Sequence, residues 1–389
     1  MFYQNMQFGE KDAGSIMKKN SLRFEAQGSE VSAKSAPVPH VALMKLVLVL
    51  SLLGAMLGLS GLVGCTKSGV DGPDPGANNK QPSEPGSVDV RVASLKGPTS
   101  IGLVDFMAAV EEATDNKLIG NYDFQIYGTA DEIMPQLVAG DIDIALLPAN
   151  ATSVLYNRTN GGITAIDINT LGVLYVVSAD DSITTLADLA DKTLLMTGKG
   201  TTPEYVMNYL LDSYGLTDRV TLEYRSEATE LAAVANSDAG AIVLLPEPYA
   251  TVVCAKNPNL ARRISLTDEW RQVQQGGYLV TGVTVVRSEF LAEHPDVVDE
   301  FLAEHFKSVT KANDDPAAAA VLVVRYGLIE DAAIAEAAIP RCYLVCLTDQ
   351  EMATTLKMYL EVLYAADPAA IGGAMPGDDF YYMGGSVSE

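Results

Sequence analysis

The stretch Thr197–Tyr205, TGKGTTPEY, joins an apolar run to a helix-like segment and has the composition of an anion-binding turn. A nucleotide-binding P-loop requires Gly, four residues, and then Gly-Lys followed by Ser or Thr. Here Gly198 and Lys199 are followed by Gly200, and Thr193 stands where the first Gly is needed. The pattern therefore excludes a P-loop.

A more general feature of the same stretch is a Gly-rich turn that leads into a helix. Thr201 or Thr202 is a suitable N-cap, Pro203 fits the first turn, and Glu204 is placed for a capping box. A helix start offers unpaired N–H groups to an anion or a polar ligand. An ordinary capped helix is the competing interpretation.

Catalytic and metal-binding motifs are scarce. HExxH, GxSxG and CxxC do not occur in the sequence. The motifs required for metalloprotease, α/β-hydrolase and thioredoxin chemistry are therefore absent. His294 and His305 each follow Leu-Ala-Glu, and a spacing of close to three helical turns predicts one shared, solvated helix face. Trp270, the single tryptophan, is expected to pack a helix, with a position in a ligand cleft as the alternative. We predict no enzyme activity, no cofactor and no metal.

The apolar segment of residues 46–64, LVLVLSLLGAMLGLSGLVG, is uncharged and long enough to span a bilayer. Its ending, LVG followed by Cys65, resembles the lipobox of bacterial lipoprotein signal peptides. Residues 44–64 are accordingly predicted to be a signal peptide, with lipid on Cys65 and an extracytoplasmic, membrane-anchored protein. A permanent membrane helix is the alternative. Residues 1–43 do not resemble a signal peptide, and we interpret them as an extension from a start codon assigned too far upstream.

Residues 65–87 are rich in Pro, Gly, Ser and Asn, which predicts a flexible tether. Beyond Cys65 three cysteines remain, enough for one disulfide at most. Cys342 and Cys346 lie in an extended stretch, where four residues separate their Cα atoms by roughly 13 Å, too far for a disulfide. Buried free thiols are predicted, with a bond from Cys254 to either of the others left open.

The chain carries 50 acidic and 26 basic residues, a net charge of −24. Such a balance argues against nucleic acid or an anionic membrane surface as partners. It does not exclude an anionic ligand, because distant charges are screened beyond roughly 8–10 Å.

Strand-like and helix-like segments alternate from residue 88 onward, which indicates a mostly parallel sheet covered by helices. The segments DIALLPANAT and AIVLLPEPYAT occupy corresponding positions of two successive β/α sets, and they predict two similar α/β lobes. Ligands of open α/β sheets lie outside the carboxyl ends of the strands. The candidate site is therefore formed by the turns after the strands, at residues 95–100, 128–129, 148–150, 198–202 and 246–247.

The lipobox, the run SITTLADLADKTLLMTGKGTTPEYVMNYLLDSYGL, the two LLP strand ends and the segment FLAEHPDVVDEFL together resemble solute-binding lipoproteins of ABC importers. The most similar group is the nitrate/sulfonate/bicarbonate (taurine-like) class with the type II periplasmic-binding fold. Asp191 stands where this class usually has Gly. The resemblance implies two α/β lobes joined by two crossover strands, with lobe one formed by residues 88–180 and 280–389 and lobe two by residues 181–279.

The resemblance also implies a monomer that binds a small polar or anionic solute and presents it to permease and ATPase subunits. Alternatives are a thiamine-pyrimidine-precursor binding or synthase-like protein of the same fold, and a ligand-sensing lipoprotein. The ligand-binding residues expected from the turns and the resemblance are Lys96, Gly97, Pro98, Thr99, Ser100, Gly128, Asn150, Lys199, Gly200, Thr201, Thr202 and Glu247.

Overall fold

The computed structural model describes residues 87–113 and 118–384, which form two β-sheets flanked by helices. The predicted extension, the signal peptide, Cys65 and its tether lie outside these residues, apart from residue 87, and stay predictions.

The strands are β1 (Val88–Leu95), β2 (Gly120–Tyr127), β3 (Ile144–Pro148), β4 (Ile163–Leu171), β5 (Leu174–Ser178), β6 (Thr193–Met196), β7 (Thr221–Tyr224), β8 (Ile242–Pro246), β9 (Ala261–Ser265), β10 (Val280–Arg287) and β11 (Leu344–Leu347). The helices are α1 (Pro98–Ile101), α2 (Val104–Glu112), α3 (Ala130–Ala139), α4 (Ala149–Thr159), α5 (Thr202–Ser213), α6 (Ala228–Ser237), α7 (Tyr249–Lys256), α8 (Leu266–Val273), α9 (Ser288–Glu293), α10 (Pro295–Asp314), α11 (Pro316–Arg325), α12 (Ala332–Ala338) and α13 (Asp349–Ala366). Short 3-10 helices occupy Leu186–Leu189, Ile339–Arg341, Pro368–Ile371 and Asp378–Phe380.

Sheet one has the strand order β11-β4-β10-β3-β1-β2, and sheet two has the order β7-β6-β8-β5-β9. In each sheet three strands that follow one another in β/α sets are parallel, and one antiparallel strand, β10 or β5, lies beside them. The two LLP strands, β3 and β8, occupy equivalent places next to that antiparallel strand. The two similar α/β lobes predicted from the repeated segments are therefore confirmed.

The chain crosses from sheet one to sheet two between β4 and β5. Gly172 and Val173 both have positive φ, at 66° and 78°, so the apolar stretch TLGVLYVVS is divided between the two sheets. The chain enters sheet two at Leu174, seven residues before the predicted boundary at residue 181. It returns between α8 and β10, where Gln275 and Gly276 also have positive φ.

Strand β4 is buried along its entire length. Most of it could not be recognised from the sequence, because the polar residues Asp167, Asn169 and Thr170 interrupt the apolar run. The side chain of Asn169 fits against β10 because residue 282 is glycine, where an added Cβ would lie 2.2 Å from the Asn169 Oδ1. In the described part of the chain, every helix is too short or too polar to cross a membrane.

Candidate functional site

The candidate site lies where the carboxyl end of β3 in sheet one, followed by α4, meets the carboxyl end of β6 in sheet two, followed by α5. Strands β1, β3, β6 and β8 each lead into a helix, namely α1, α4, α5 and α7. The two edges are in direct contact in this structure through Asn150 and the turn before α5. The geometry is that of a cleft closed between two lobes.

Asn150, in the first turn of α4, is the residue that joins the two edges. Its side chain is buried, and its Oδ1 accepts a hydrogen bond of 3.1 Å from the Thr202 hydroxyl. Its Nδ2 donates to the carbonyl oxygens of Ala370, at 3.1 Å, and of Gly200, at 3.5 Å. Sequence analysis selected Asn150, Gly200 and Thr202, and the structure brings these three together. Ala370, which comes from a 3-10 helix near the end of the described chain, carried no recognisable signal.

The turn after β6 depends on two glycines with left-handed backbone, Gly198 at φ 81° and Gly200 at φ 75°. Thr201 is the N-cap of α5, but its hydroxyl donates to the Gly198 carbonyl at 2.8 Å instead of capping the helix. The predicted capping box is therefore wrong: Glu204 accepts from the amide of Gly200, one residue earlier than a capping box requires, at 2.5 Å. The reason is that the two left-handed glycines turn the Gly200 N–H toward the helix.

Lys199 is exposed, and its ammonium lies 5.5 Å from the ring centroid of Tyr224. The Tyr224 hydroxyl donates to the other oxygen of Glu204 at 2.7 Å. Burial, followed by this hydrogen bond to a carboxylate, raises the pKa of Tyr224 above its ordinary value. Neither Glu204 nor Tyr224 was selected as a ligand residue, although the position of Glu204 three residues after the N-cap was a usable signal.

The hydroxyl groups of the turn after β1 form hydrogen bonds within that turn. Thr99 and Ser100 donate to the Leu95 carbonyl at 2.9 and 2.7 Å, while Lys96 is exposed and Gly97, at φ 147°, is the N-cap of α1. Thr99 and Ser100 lie in the first turn of α1, where helices leave their amides without intrahelical partners, and Ser100 is fully buried. Pro98 is the first residue of α1 and has no N–H to offer.

Glu247 and Gly128 lie apart from these contacts. Glu247 is fully buried, and its carboxylate accepts from both the amide and the hydroxyl of Thr251 and from Arg262 Nε at 2.7 Å. The Arg262 guanidinium also lies over the ring of Tyr175. The charge of Glu247 is thus already balanced within lobe two. Gly128 follows the edge strand β2 and is exposed.

A buried polar group lies within lobe one, beneath α10. Asp167 accepts hydrogen bonds from Thr284 at 2.6 Å, lies 2.9 Å from His305 Nδ1, and is 3.9 Å from the Cys346 Sγ. The prediction that His294 and His305 share a solvated face is wrong, since His305 is fully buried. A new helix begins at residue 295, so the two histidines do not belong to one helix, and His305 follows the apolar spacing of α10.

The three remaining cysteines are free, as predicted, but only Cys342 is fully buried. Cys254 and Cys346 are half-buried. Burial raises the pKa of the Cys342 thiol well above its ordinary value. Burial likewise raises the pKa of the Cys254 and Cys346 thiols, and the three side chains act as small packing groups.

Two α/β lobes that close on each other at the carboxyl ends of their strands define a solute-binding protein of the periplasmic-binding fold. Residues 103–330 match the family described as "ABC transporter, phosphonate, periplasmic substrate-binding protein". This match covers more than half of the chain, and the protein belongs to that family of substrate-binding components of ABC transporters. No curated protein matches the sequence.

Several solved structures share the fold. An ABC transporter protein from Parabacteroides distasonis is 21% identical, with a TM-score of 0.64 over 76% of this chain and 99% of its own. The periplasmic aliphatic sulphonate binding protein SsuA from Escherichia coli is 12% identical, with a TM-score of 0.58 over 73% and 88%. The alkanesulfonate-binding protein SsuA from Xanthomonas axonopodis pv. citri, bound to MOPS, is 14% identical, with a TM-score of 0.57 over 76% and 96%.

Proposed function

We propose that this protein binds a small solute with a sulfonate-like or phosphonate-like anionic head group between its two lobes and delivers it to an ABC permease. The observation that carries the proposal is the pair of hydrogen bonds that Asn150 donates to the Gly200 carbonyl and accepts from the Thr202 hydroxyl, which joins the two carboxyl edges. These edges supply amides, hydroxyls and helix starts, which are suited to an anion. The family description names phosphonate, and two of the structural neighbours are named for sulfonates.

We further infer that the solute is bound without being transformed. Asp167 and His305 are buried under α10, and with the half-buried Cys346 they are hydrogen-bonded to one another inside lobe one. The turns at the cleft carry hydroxyls and amides but lack a nucleophile paired with a base. Binding alone accounts for their chemistry.

The protein is further proposed to act as a monomer held at the extracytoplasmic face of the membrane by lipid on Cys65. The lipobox that ends at Cys65 supports this location. A diacylglyceryl mass on an N-terminal Cys65 peptide of the membrane-extracted protein tests the anchor, and an unmodified peptide contradicts it.

The first test is a thermal-shift and calorimetric screen of residues 66–389 against sulfonates, phosphonates, nitrate and bicarbonate. A ligand present at ~100 times its dissociation constant adds about 2.7 kcal/mol, which raises the melting temperature by several degrees. For any ligand found, Asn150→Ala is expected to weaken binding about tenfold, because it removes the side chain that joins the two lobes.

Asn157→Ala is the matched control for this test. Asn157 lies on the same helix and also donates to carbonyls of the C-terminal segment, those of Ile371 and Ala374, but its contacts stay within lobe one. Both variants should lower the stability of the ligand-free protein to a similar extent. Equal loss of affinity in the two variants would contradict the placement of the ligand beside Asn150, and no shift from any anion in the panel would contradict the solute class.

A further inference from the structure

The turn before α5 already holds a carboxylate, that of Glu204. One carboxylate oxygen accepts the Gly200 N–H at 2.5 Å, and the other accepts the Tyr224 hydroxyl at 2.7 Å. Both donors are electrically neutral, so the hydrogen bonds fix the position of the negative charge without cancelling it. Glu204 is half-buried, which reduces screening by solvent.

This charge lies close to the contact surface of the two lobes. Gly200, whose amide binds Glu204, is the residue whose carbonyl oxygen meets Asn150 Nδ2 from the other lobe. One residue, Gly200, and two hydrogen bonds separate the carboxylate from Asn150, a span of roughly 10 Å or less. A ligand head group beside Asn150 is therefore within about one Debye length of the carboxylate.

Among the residues that the structure describes, the carboxylate of Glu204 is not paired with a basic side chain, whereas that of Glu247 is. Glu247, which directly follows β8 of lobe two, is paired with Arg262 at 2.7 Å. Within residues 87–113 and 118–384, Glu204 takes part in no ion pair. Lys199 is the nearest basic residue along the turn, and its exposed ammonium lies over the Tyr224 ring, where solvent weakens its effect.

We infer that Glu204 determines the charge that the cleft accepts, and that it selects a singly charged head group over a doubly charged one. The inference rests on the proposed function, since it concerns an anion bound at the same cleft. A fixed negative charge repels a dianion twice as strongly as a monoanion at the same place. A sulfonate carries one charge at every physiological pH, whereas a phosphonate acquires a second in weakly alkaline solution. The chain therefore favours monoanions, although its family is described by the word phosphonate.

The test compares ethanesulfonate with ethylphosphonate, two probes of similar shape, by calorimetry at low ionic strength. At about pH 9 ethylphosphonate carries two charges, and the wild-type protein is expected to bind ethanesulfonate more tightly. Glu204→Gln keeps the size of the side chain and an oxygen for the Gly200 amide. It should improve the affinity for ethylphosphonate relative to ethanesulfonate by about three- to tenfold, the range expected for one charge at this distance near a surface.

Two controls separate charge from structure. Glu223→Gln makes the same change of charge one residue from Tyr224, on an exposed side chain that pairs with Arg225, and should leave the affinity ratio unchanged. At about pH 6, where ethylphosphonate carries one charge, the ratio should be the same in the wild type and in Glu204→Gln. A purely structural role for Glu204 does not produce this pH dependence.

The outcomes distinguish the inference from the function on which it rests. If Glu204→Gln weakens both probes equally, or if the wild type prefers the dianion at about pH 9, the inference is overturned and the proposed function stands. If the wild type binds neither probe at either pH, the proposed function fails and the inference fails with it.

Discussion

At the scale of single residues, the amino-acid types at the turns after strands were sufficient to find part of the site. Gly200, Thr202 and Asn150 were selected as small or amide-bearing residues next to helix starts, and they meet across the two lobes. Glu247 was selected by the same reasoning, yet its charge is taken up by Arg262. Sequence alone could not separate these cases, because Arg262 reaches Glu247 only through the pairing of β9 with β5.

Asp143 directly precedes β3, at the end of the strand opposite the cleft, and its charge stabilises the fold. Burial by itself would raise the pKa of Asp143, but hydrogen bonds from Arg91 and Arg287 outweigh it and hold the pKa below the ordinary Asp value. Its side chain is 1% exposed. The carboxylate is thus a buried anion shared by two arginines of neighbouring strands.

Asp143→Asn is expected to lower the free energy of unfolding by about 2–4 kcal/mol at pH 7, because both arginines lose their shared partner. A lowered folded-state pKa stabilises the protein above the ordinary Asp pKa, near 4, and this stabilisation disappears as the pH falls below that value. Urea unfolding between about pH 6 and pH 3 checks both statements. If the variant and the wild type lose stability in parallel over this range, the assignment to Asp143 is wrong.

At the scale of elements, the sequence predicted the β/α sets of both lobes, because their apolar runs end in turn residues. It missed most of β4, since Asp167, Asn169 and Thr170 interrupt the apolar run. These polar side chains are buried, and they bond to one another or to Thr284 and His305. A strand of this kind cannot be recognised without knowing those partners, which lie more than 100 residues further along the chain.

The crossing from β4 to β5 requires Gly172. Its φ is 66°, and an added Cβ would lie 2.5 Å from the hydroxyl oxygen of Thr267. Gly172→Ala is therefore expected to lower the free energy of unfolding by about 2–4 kcal/mol, from both backbone strain and the clash.

Gly215→Ala is the matched control for this substitution. Gly215 has nearly the same φ, 68°, but an added Cβ would meet no atom within 4 Å, so only the backbone term of about 1 kcal/mol should remain. Urea denaturation of the two variants measures the difference. Equal losses of stability would mean that the contact with Thr267 is relieved by a small shift.

At the scale of the whole molecule, three packed aromatic side chains connect the two lobes. Trp270 of α8 is 1% exposed and packs against Tyr209 of α5 at 5.2 Å and Tyr359 of α13 at 5.4 Å between ring centroids. Helix α5 belongs to lobe two, while α13 packs on β4 and β10 of lobe one. The expectation that Trp270 packs a helix is confirmed, and its neighbours come from both lobes.

Because Trp270 is the single tryptophan, its fluorescence is expected to report the opening and closing of the lobes. Saturating ligand should shift its emission to shorter wavelength, as closure presses Tyr359 against the indole and removes water. Trp270→Phe should abolish the signal while leaving calorimetric binding within about threefold of the wild type. An emission spectrum that stays constant during a titration that calorimetry shows to be complete would contradict this coupling.

The order of strands in sheet one affects when its strands can pair while the chain is being synthesised. Strand β10 lies between β3 and β4, although it begins 132 residues after the end of β3 and 109 residues after the end of β4. Sheet two, in contrast, is built from one continuous segment that ends at Ser265. A chain emerging from its amino end can therefore complete sheet two while β4 still lacks the neighbour that joins it to β3. The buried carboxylate of Asp167 would stay in water until the last third of the protein arrives.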